Sequence, residues 1–413
     1  MVMAHRVRII LLASLVVLVG TPKNAFAACD QTLSVGANIA SAVSSAANGS
    51  TICLNNGNFG TVNLTNISRS GPVTLRSTSG IGAQMSPQVT NSKFITFSSL
   101  TLTNMDVQSC SVSIYILDST FVPNAPGLYF FNTNTCGGNQ DLRVDNVRFA
   151  GVDQGGNEGR LGTEGPINGL TVTRSFFGNN GYGDGIQLGG GVPGTVVIGP
   201  GNVFDGVSQS YCDAHGGAHC DALQCFGGCQ GTVIKQNMFR NGLTYIMAPD
   251  QDNKTGLQVI DNIFDHTWDN GSYFASIQIF SADNLLFAHN TVVLNDVFVG
   301  TNNPGWPNSN NVVVRNNIII NGTIDNKLNG CVSCTFQFNL FKSSGSAVGT
   351  NNVIGTPIFI GGTYPLTWAG WQLVPTSPGA SVGNDGKDMG TTYYGAVTGT
   401  VPTAPANLRI ISN

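Results

Sequence analysis

Most of the chain alternates apolar and polar residues over segments of five to eight residues, which Asn-Gly or Gly-Gly pairs separate. This alternation is typical of β-strands, because successive side chains of a strand point to opposite faces. Only the segment from Val35 to Ala47 has helical spacing, with Ile39, Val43 and Ala47 on one side. Asn48-Gly49 follows it as a stop signal. The sequence therefore predicts an all-β fold with one short helix near the N-terminus.

The predicted strands recur in the common form apolar-x-apolar-x-x-Asn-x-apolar. The repeated asparagines are Asn202, Asn237, Asn262, Asn290 and Asn317. Their spacing indicates a solenoid, whose repeats are shorter than the roughly 40–50 residues of a propeller blade. We expect each asparagine to lie at a bend, to adopt left-handed backbone and to hydrogen-bond to the asparagine one coil away.

The chain resembles the secreted right-handed parallel β-helix proteins of the pectate-lyase-like superfamily over roughly residues 29–395. The resemblance rests on the helix, the Asn-bearing coils and the segments Gly49-Ser-Thr-Ile-Cys-Leu-Asn-Asn-Gly57 and Ser377-Pro-Gly-Ala-Ser-Val-Gly383. That superfamily contains lyases, hydrolases, epimerases and non-catalytic proteins, so the resemblance implies a fold and leaves the reaction open.

We accordingly predict a right-handed parallel β-helix (a solenoid) of roughly eight to eleven coils from about Thr51 to Ile360. The helix would cover its N-terminal end, and the segment after about Gly361 would cover the other end. The predicted division of the chain is a signal peptide (1–27), a β-helix domain with its N-terminal cap (28–395) and a C-terminal tail (396–413).

The signal peptide is predicted from its three parts. Arg6 and Arg8 precede an apolar run from Ile9 to Gly20, and Ala25-Phe-Ala27 supplies small residues for cleavage. The apolar run is shorter than the roughly 20 residues that span a bilayer. We therefore expect a secreted or periplasmic protein with no integral membrane segment in the mature chain.

Charged residues are scarce, at 10% of the chain, which is less than half of ordinary usage. Without the two arginines and one lysine of the predicted signal peptide, 15 basic and 22 acidic residues remain, a net charge of −7. Nucleic-acid binding needs clustered cations, and no such cluster remains. We expect a monomer whose partner is a polysaccharide.

All ten cysteines follow the predicted cleavage site, and an even number in an exported chain predicts disulfides. Close spacing favours three pairs: Cys29 with Cys53, Cys110 with Cys136, and Cys331 with Cys334. The other cysteines are Cys212, Cys220, Cys225 and Cys229. Together with two histidines between them they could hold zinc, but in an exported chain disulfides are favoured.

The period is interrupted between Asn202 and Asn237, where an insert contains His215, His219 and Asp221. Solenoids acquire function through such loops on one face of the stack. Titratable residues are otherwise rare in this chain. The insert therefore marks the candidate site.

Asp221-Ala-Leu-Gln224 matches Asp184-Gly-Ile-Gln187 one coil earlier, and Gln278 lies in a third, similar strand. The match predicts that Asp184 stacks on Asp221 and Gln187 on Gln224, at the spacing of neighbouring strands of about 4.8 Å. Strand alternation places Asp221 and Gln224 on opposite faces unless the aspartate lies in a bend, whereas His219 and Asp221 share a face.

Stacked carboxylates can raise each other's pKa or share a calcium ion, so Asp184 and Asp221 are candidate calcium ligands. The leading hypothesis is a polysaccharide lyase acting on a uronic-acid polymer, with Asp184, His219 and Asp221 as catalytic residues and His219 as the base. Candidate substrate-binding residues are Gln187, Gln224, Gln278, His215, Lys235 and Arg240.

Two alternatives remain open. One is an inverting hydrolase resembling polygalacturonases, with Asp184 and Asp221 as acid and base, although the paired Asp-Asp and the Arg-x-Lys of that family are absent. The other is a non-catalytic glycan-binding protein of the cell surface or matrix.

Two further segments contain charged residues. Asp250–Lys254 has the composition of a calcium loop but lacks the spacing of an EF-hand, and we expect a solvated turn. Glu158, Arg160 and Glu164 lie in the Gly-rich segment Gly151–Pro166, which we expect to be a mobile loop.

Overall fold

The computed structural model describes residues 28–122, 127–131, 138–150, 159–165, 167–178, 183–189, 196–207, 220–226, 229–248, 255–267 and 276–395. Within these ranges the chain winds into a right-handed parallel β-helix, which confirms the predicted fold. Successive coils contribute strands to three sides of the helix, and within each side the strands of neighbouring coils pair in parallel.

The first side of the helix, sheet A, contains 13 strands in the described ranges. Numbered in chain order, they are β1 Gln31–Leu33, β2 Thr51–Leu54, β4 Val73–Ser77, β6 Lys93–Ser98, β9 Val112–Leu117, β12 Asn139–Asp145, β15 Ile167–Thr173, β18 Val197–Ile198, β21 Val233–Lys235, β24 Gln258–Ile260, β27 Leu286–Ala288, β31 Val313–Arg315 and β35 Thr335–Gln337.

The second side, row B1, directly follows sheet A in each coil and consists of short strands. Its strands are β7 Thr101–Leu102, β10 Thr120–Phe121, β13 Arg148–Ala150, β16 Phe176–Gly178, β19 Val203–Asp205, β22 Met238–Arg240, β25 Ile263–Asp265, β28 Thr291–Val293, β32 Ile318–Ile320, β36 Leu340–Phe341 and β37 Val353–Ile354.

The third side, row B2, completes each coil. Its strands are β8 Met105–Gln108, β11 Leu128–Phe131, β14 Gly159–Glu164, β17 Asp184–Gly189, β20 Asp221–Phe226, β23 Thr244–Ala248, β26 Ser276–Ile279, β29 Asp296–Gly300 and β33 Ile324–Lys327. Two long strands, β3 Gly57–Thr65 and β5 Ala83–Thr90, join both rows at the N-terminal end, because β5 pairs with β7 and with β8. A separate small sheet pairs β30 Ser309–Asn310 with β34 Cys331–Val332.

The predicted N-terminal helix is present as α1, Ile39–Ser45, which is shorter than the sequence pattern indicated. The Asn38 side chain caps its N-terminus by accepting a hydrogen bond from the Ser41 N–H at 3.0 Å. Ile39 and Val43 are buried in the core. The Arg69 guanidinium donates to carbonyl groups at the C-terminal end of the helix, including Ala46 at 2.9 Å, which satisfies acceptors that the helix leaves open.

The interior is filled by like side chains stacked coil on coil. Six phenylalanines of row B1 form one continuous stack with ring centroids 4.6–4.8 Å apart: Phe121, Phe149, Phe177, Phe204, Phe239 and Phe264. The centroid distance equals the strand spacing, so parallel pairing by itself brings the rings into offset contact.

The predicted asparagine ladder is confirmed. Each side-chain amide donates to the side-chain oxygen of the next asparagine at 2.9–3.1 Å, and the series is Asn202, Asn237, Asn262, Asn290, Asn317 and Asn339. All six are buried. The ladder therefore extends one asparagine beyond the predicted series.

The backbone expectation for these asparagines is wrong. The left-handed φ angles belong to the residue before each one, for example Gln236 (57°), Asp261 (57°) and His289 (54°). The turn is made one position earlier, and this leaves the asparagine free to direct its amide into the helix. Left-handed backbone at a non-glycine residue is an unfavourable conformation, and here it recurs from coil to coil.

Between about Thr51 and Ile360, sheet A contains 12 strands and row B1 contains 11 in the described part of the chain, which is at the upper end of the roughly eight to eleven coils expected. The N-terminal coils carry no asparagine at the bend, and one of them spans as few as 19 residues, from Leu100 to Ser119. Short coils of this kind bring the count to the upper end of the expected range.

The C-terminal segment covers a side of the helix, which differs from the expected end cap. Phe359, Trp371 and Met389 pack on an apolar cluster that includes Ile318 and Ile320 of row B1. Two hydrogen bonds hold the segment along this side: Gly390 N–H to Asn316 O at 2.7 Å, and Thr392 N–H to Asp261 Oδ1 at 2.8 Å. The outward residues of row B1 are apolar and therefore need a cover, which the C-terminal segment supplies.

Disulfides are present as predicted. Cys29 is bonded to Cys53 and Cys331 to Cys334, and a third bond joins Cys225 to Cys229. Cys110 and Cys220 are also disulfide-bonded, whereas Cys136 and Cys212 lie outside the described residues. Disulfide-bonded cysteines supply no thiolate, so the zinc alternative is not supported.

The predicted signal peptide and C-terminal tail lie outside the described residues. In the described part of the chain, no helix is long and apolar enough to cross a membrane.

Candidate functional site

Asp184 and Asp221 are stacked on neighbouring coils at the start of two strands of row B2. The register of β17 and β20 pairs Ile186 with Leu223 and Gln187 with Gln224. The backbone N–H of Asp221 donates to Asp184 Oδ1 at 2.8 Å. We refer to these two carboxylates as the aspartate pair.

The aspartate pair faces the core. Strand alternation puts Asp184 on the same face as Ile186 and Asp221 on the same face as Leu223, and both of these apolar residues belong to the core. The relative exposure of the two aspartates is 1% and 2%. Gln187 and Gln224 have the opposite parity. The described strands therefore do not bring the carboxylates and the amides together in one open groove.

Burial changes the protonation of both carboxyl groups. It raises the pKa of Asp184 to about 7, although the Asp221 N–H and the Arg160 charge act in the opposite direction. Burial also raises the pKa of Asp221 well above its ordinary value, and the neighbouring Asp184 raises it further, while a hydrogen bond from Thr244 lowers it. Two buried carboxylates in contact favour a state in which they share a proton.

Arg160 completes this cluster and corrects an expectation. The segment Gly151–Pro166 was expected to be a mobile loop. Residues 151–158 and 166 lie outside the described residues, whereas Gly159–Glu164 is strand β14 and Arg160 is fully buried. Its guanidinium donates to Gly183 O at 3.0 Å, directly before Asp184. The apolar Leu161 is the residue that could have predicted this strand, but the glycines near it are typical of a loop.

The aspartate pair belongs to a longer polar column at the corner where each coil enters row B2. Asp221 is paired in register with Thr244, Thr244 with Ser276, and Ser276 with Asp296. Asp296 is the more exposed end of this column. Its Oδ1 accepts hydrogen bonds from the Thr323 backbone N–H at 2.8 Å and from the Thr323 hydroxyl at 2.7 Å. The two carboxylates that meet directly are Asp184 and Asp221.

The described residues do not fit the proposed calcium ion. Calcium takes six to eight oxygen ligands, whereas in the described ranges no group of three or more His, Cys, Asp or Glu side chains could hold a metal ion. One oxygen of Asp184 already accepts an N–H, and the cationic Arg160 is close enough to lower the pKa of Asp184. This donor set suits a shared proton better than a cation.

The other predicted site residues are dispersed. Lys235 lies in sheet A and Arg240 in row B1, where Arg240 forms an ion pair with Asp205 at 2.8 Å. Gln278 lies two coils beyond Gln224, with Met247 between them in register. His215, His219 and the segment Asp250–Lys254 lie outside the described residues.

The outer face of row B2 carries amides and aromatic rings. The Gln187 amide donates to Gln224 Oε1 at 2.7 Å, which confirms their predicted stacking. On the preceding coils, the Tyr129 ring lies over Gly162, where a Cβ atom would stand 2.5 Å from the ring. Phe226, beyond Gln224 on the same face, is 60% exposed. Tyr129 and Gln224 are buried, at 8% and 6% relative exposure, so Gln187 and Phe226 are the accessible side chains among these four.

Comparisons with solved structures find other proteins of low sequence identity. A mannuronic-acid-specific polysaccharide family 6 lyase from human gut microbiota is 12% identical over 79% of this chain and 82% of its own, with a TM-score of 0.44. The GH87 α-1,3-glucanase of Streptomyces thermodiastaticus is 13% identical over 75% of this chain and 61% of its own, also at 0.44. The surface adhesin PfbA of Streptococcus pneumoniae is 13% identical over 78% and 97%, at 0.41.

No protein-family model matches the sequence, and no curated protein is significantly similar to it. A lyase, a hydrolase and an adhesin are among the similar structures, and at these identities and TM-scores they carry no argument for any of the three activities. The function has to be argued from the site itself.

Proposed function

We propose that the protein is an exported polysaccharide lyase that binds an acidic, uronic-acid polymer along the outer face of row B2. The observation that carries this proposal is the aspartate pair, because burial raises the pKa of Asp184 to about 7. A titratable group with a raised pKa, in a chain with so few titratable residues, supports a role in proton transfer. In the sequence, His219 of the insert stands two residues before Asp221, which is the first residue of β20.

The chemistry needs one base and one acid. In β-elimination the base removes the C5 proton of a uronic acid, the electron pair forms the C4–C5 double bond, and the leaving glycosidic oxygen receives a proton. His219 is the proposed base, since a neutral imidazole accepts protons near neutral pH. The aspartate pair faces the core, at 1% and 2% relative exposure, so it is proposed to act through His219 and not by contact with the substrate; the protonated imidazole of His219 returns its proton to the leaving oxygen.

Inverting hydrolysis is the weaker alternative. Its acid and base lie about 6.5–9.5 Å apart, so that a water molecule fits between them and the sugar. Asp184 and Asp221 lie on neighbouring strands, about 4.8 Å apart, and the backbone of one contacts the carboxylate of the other at 2.8 Å. The strand spacing is shorter than the separation that inverting hydrolysis uses, which favours the lyase.

The test is a panel of polymannuronate, polyguluronate and polygalacturonate, followed by ultraviolet absorbance for unsaturated products and by reducing ends. We expect absorbance and reducing ends to rise together for one polymer. Asp221→Asn keeps the shape of the side chain and removes its acid function, so the rate should fall by at least about a hundredfold.

Asp296→Asn is the matched control, because Asp296 occupies the same column further along row B2 but is not stacked on another carboxylate among the described residues. It should keep the activity within about threefold. Circular dichroism checks that both variants are folded. Reducing ends without absorbance would indicate a hydrolase. Tight binding of a polymer without cleavage would indicate a binding protein.

A further inference from the structure

Sheet A carries a second surface feature, separate from row B2. Strands β6, β9, β12 and β15 each contain one residue with left-handed backbone at the same register position: Phe94 (φ 60°), Ser113 (54°), Asp141 (53°) and Gly169 (84°). A left-handed residue inside a strand bends it, as in a β-bulge. Four bends in register form a trough that runs parallel to the helix axis.

Two hollows lie along this trough and share Gln140. One, of about 420 Å³, is lined by Gln140, Asp141, Asn168, Gly169, Thr171 and Val197. The other, of about 390 Å³, is lined by Asn91, Lys93, Cys110, Val112, Gly138 and Gln140. The shared residue makes the two hollows one continuous surface.

The polar side chains at this register position stand on three of the four strands. Lys93 pairs in register with Val112, Val112 with Gln140, and Gln140 with Asn168, so the apolar Val112 separates Lys93 from the two amides. Gln140 and Asn168 are one strand spacing of about 4.8 Å apart, so two neighbouring sugars of an extended chain can contact one amide each.

Asp141 and Lys93 are the charged residues that line the two hollows, so their charges balance and the trough suits a neutral ligand. Asp141 Oδ2 accepts hydrogen bonds from the Ser113 hydroxyl and the Tyr115 hydroxyl, both at 2.6 Å. A carboxylate held at the surface of the hollow repels the carboxylates of uronic acids but accepts hydrogen bonds from sugar hydroxyls. The neighbouring Gln140 and Asn168 amides are exposed and can donate as well as accept.

We infer that this trough is a binding site for an extended neutral glycan chain, apart from the proposed catalytic face. Carboxamide and carboxylate groups on a rigid sheet hold the hydroxyls of successive sugars, and the bends supply the concave shape. Such a site would anchor the protein to a neutral polysaccharide while row B2 acts on an acidic one.

The experiment measures binding of cellohexaose by isothermal titration calorimetry. The double variant Gln140→Ala/Asn168→Ala removes two exposed amides and should raise Kd by about tenfold, the loss of two ordinary hydrogen bonds. The matched control is Gln258→Ala on β24 of the same sheet, well beyond the trough, and it should leave Kd unchanged. Circular dichroism and an unchanged melting temperature confirm folding.

Equal affinity of the double variant and the wild type would overturn the inference, as would absence of cellohexaose binding by the wild type at millimolar concentration. Asp221→Asn separates the two sites, because it should bind cellohexaose like the wild type even if no acidic polymer is cleaved. A loss of cellohexaose binding in Asp221→Asn would place this ligand on row B2 and would equally overturn the inference.

Discussion

Two polar stacks run along this helix, and they differ in how well their members complement one another. In the asparagine ladder, each amide donates to the next asparagine and to a backbone carbonyl, as Asn262 does to Asn290 at 3.1 Å and to Ile234 at 2.9 Å. An amide is both donor and acceptor, so a stack of identical amides satisfies itself. The ladder can thus be fully buried without an unfavourable charge.

The aspartate pair is the same kind of stack built from carboxylates. Asp184 Oδ1 accepts the Asp221 N–H, but within the described part of the chain Asp184 Oδ2 is buried without a hydrogen-bond partner. Carboxylates only accept, so two of them in contact need a proton to complement each other. The comparison indicates that the ladder stabilises the coil, whereas the aspartate pair destabilises it unless the two carboxyl groups share a proton.

The largest effect on stability is expected when a carboxylate replaces an amide of the asparagine ladder. Asn237→Asp replaces an amide that donates to Ile198 O at 2.9 Å and to Asn262 Oδ1 at 3.0 Å, so a carboxylate would face two acceptors. We expect the free energy of unfolding to fall by about 5 kcal/mol at pH 8. The loss should be smaller at pH 5, because a protonated carboxyl can donate one hydrogen bond.

Urea denaturation at the two pH values measures this difference. Asn302→Asp, at an exposed position, is the control and should change stability by less than about 0.5 kcal/mol. A loss for Asn237→Asp that is equal at both pH values would contradict the explanation by protonation.

Replacing a carboxylate of the aspartate pair by an amide should stabilise the protein. The pKa of Asp184 is about 7 in the folded state against an ordinary 3.8, so the folded state binds more protons between these values. Wild-type stability should therefore fall as the pH rises from about 4 towards 7, and the raised pKa of Asp221 should extend this fall above pH 7. Asp184→Asn should flatten this decline and be the more stable protein at pH 8.

The measurement is the urea midpoint of both proteins from pH 4 to pH 8. Asp205→Asn serves as the control, since Asp205 is paired with Arg240 away from the aspartate pair. A decline of the same size in Asp184→Asn and in the wild type would show that other groups cause the pH dependence.

The smallest effect is expected for the amide pair on the outer face. Gln187→Ala removes the donor to Gln224 Oε1 at 2.7 Å, but both positions belong to the outer face, and the hydrogen bond contributes about 1 kcal/mol. Thermal melting measures it. A loss as large as that expected for Asn237→Asp would mean that the outer face is as essential to the coil as the ladder is.

The predictable part of this molecule is the part in which one residue type recurs at one register position. The asparagines from Asn202 to Asn317 could be found because each is required at the same bend of successive coils. The phenylalanine stack was not predicted, although Phe204, Phe239 and Phe264 each follow a ladder asparagine by two residues. The C-terminal cover was predicted at the end of the helix and not along row B1, since its sequence does not repeat with the coils. The left-handed residues were placed one position late, because a bend residue and its neighbour are equally polar in the sequence.

The sequence predicted which residues of the candidate site lie next to each other on neighbouring coils, but it did not predict which of them are buried. The matched motifs at Asp184 and Asp221 correctly placed the two carboxylates on neighbouring coils. The sequence did not predict that the two aspartates are buried or that Arg160 lies near them. Alternation separates the two faces of a strand, but it does not say which face points into the core. The glycines around Arg160 also made a strand resemble a loop.

The sequence by itself determined the solenoid, since hydrophobic alternation, a short regular period and a buried amide at each bend admit one way of stacking the coils. It also determined that the cysteines are paired. Only the tertiary structure decided that the aspartates face the core while the glutamines face outward, and that the bends of sheet A align into a trough. The physical reason is that strand pairing is local and repeats with the sequence, whereas burial and surface shape depend on how each coil turns its corners, and those turns differ from one coil to the next.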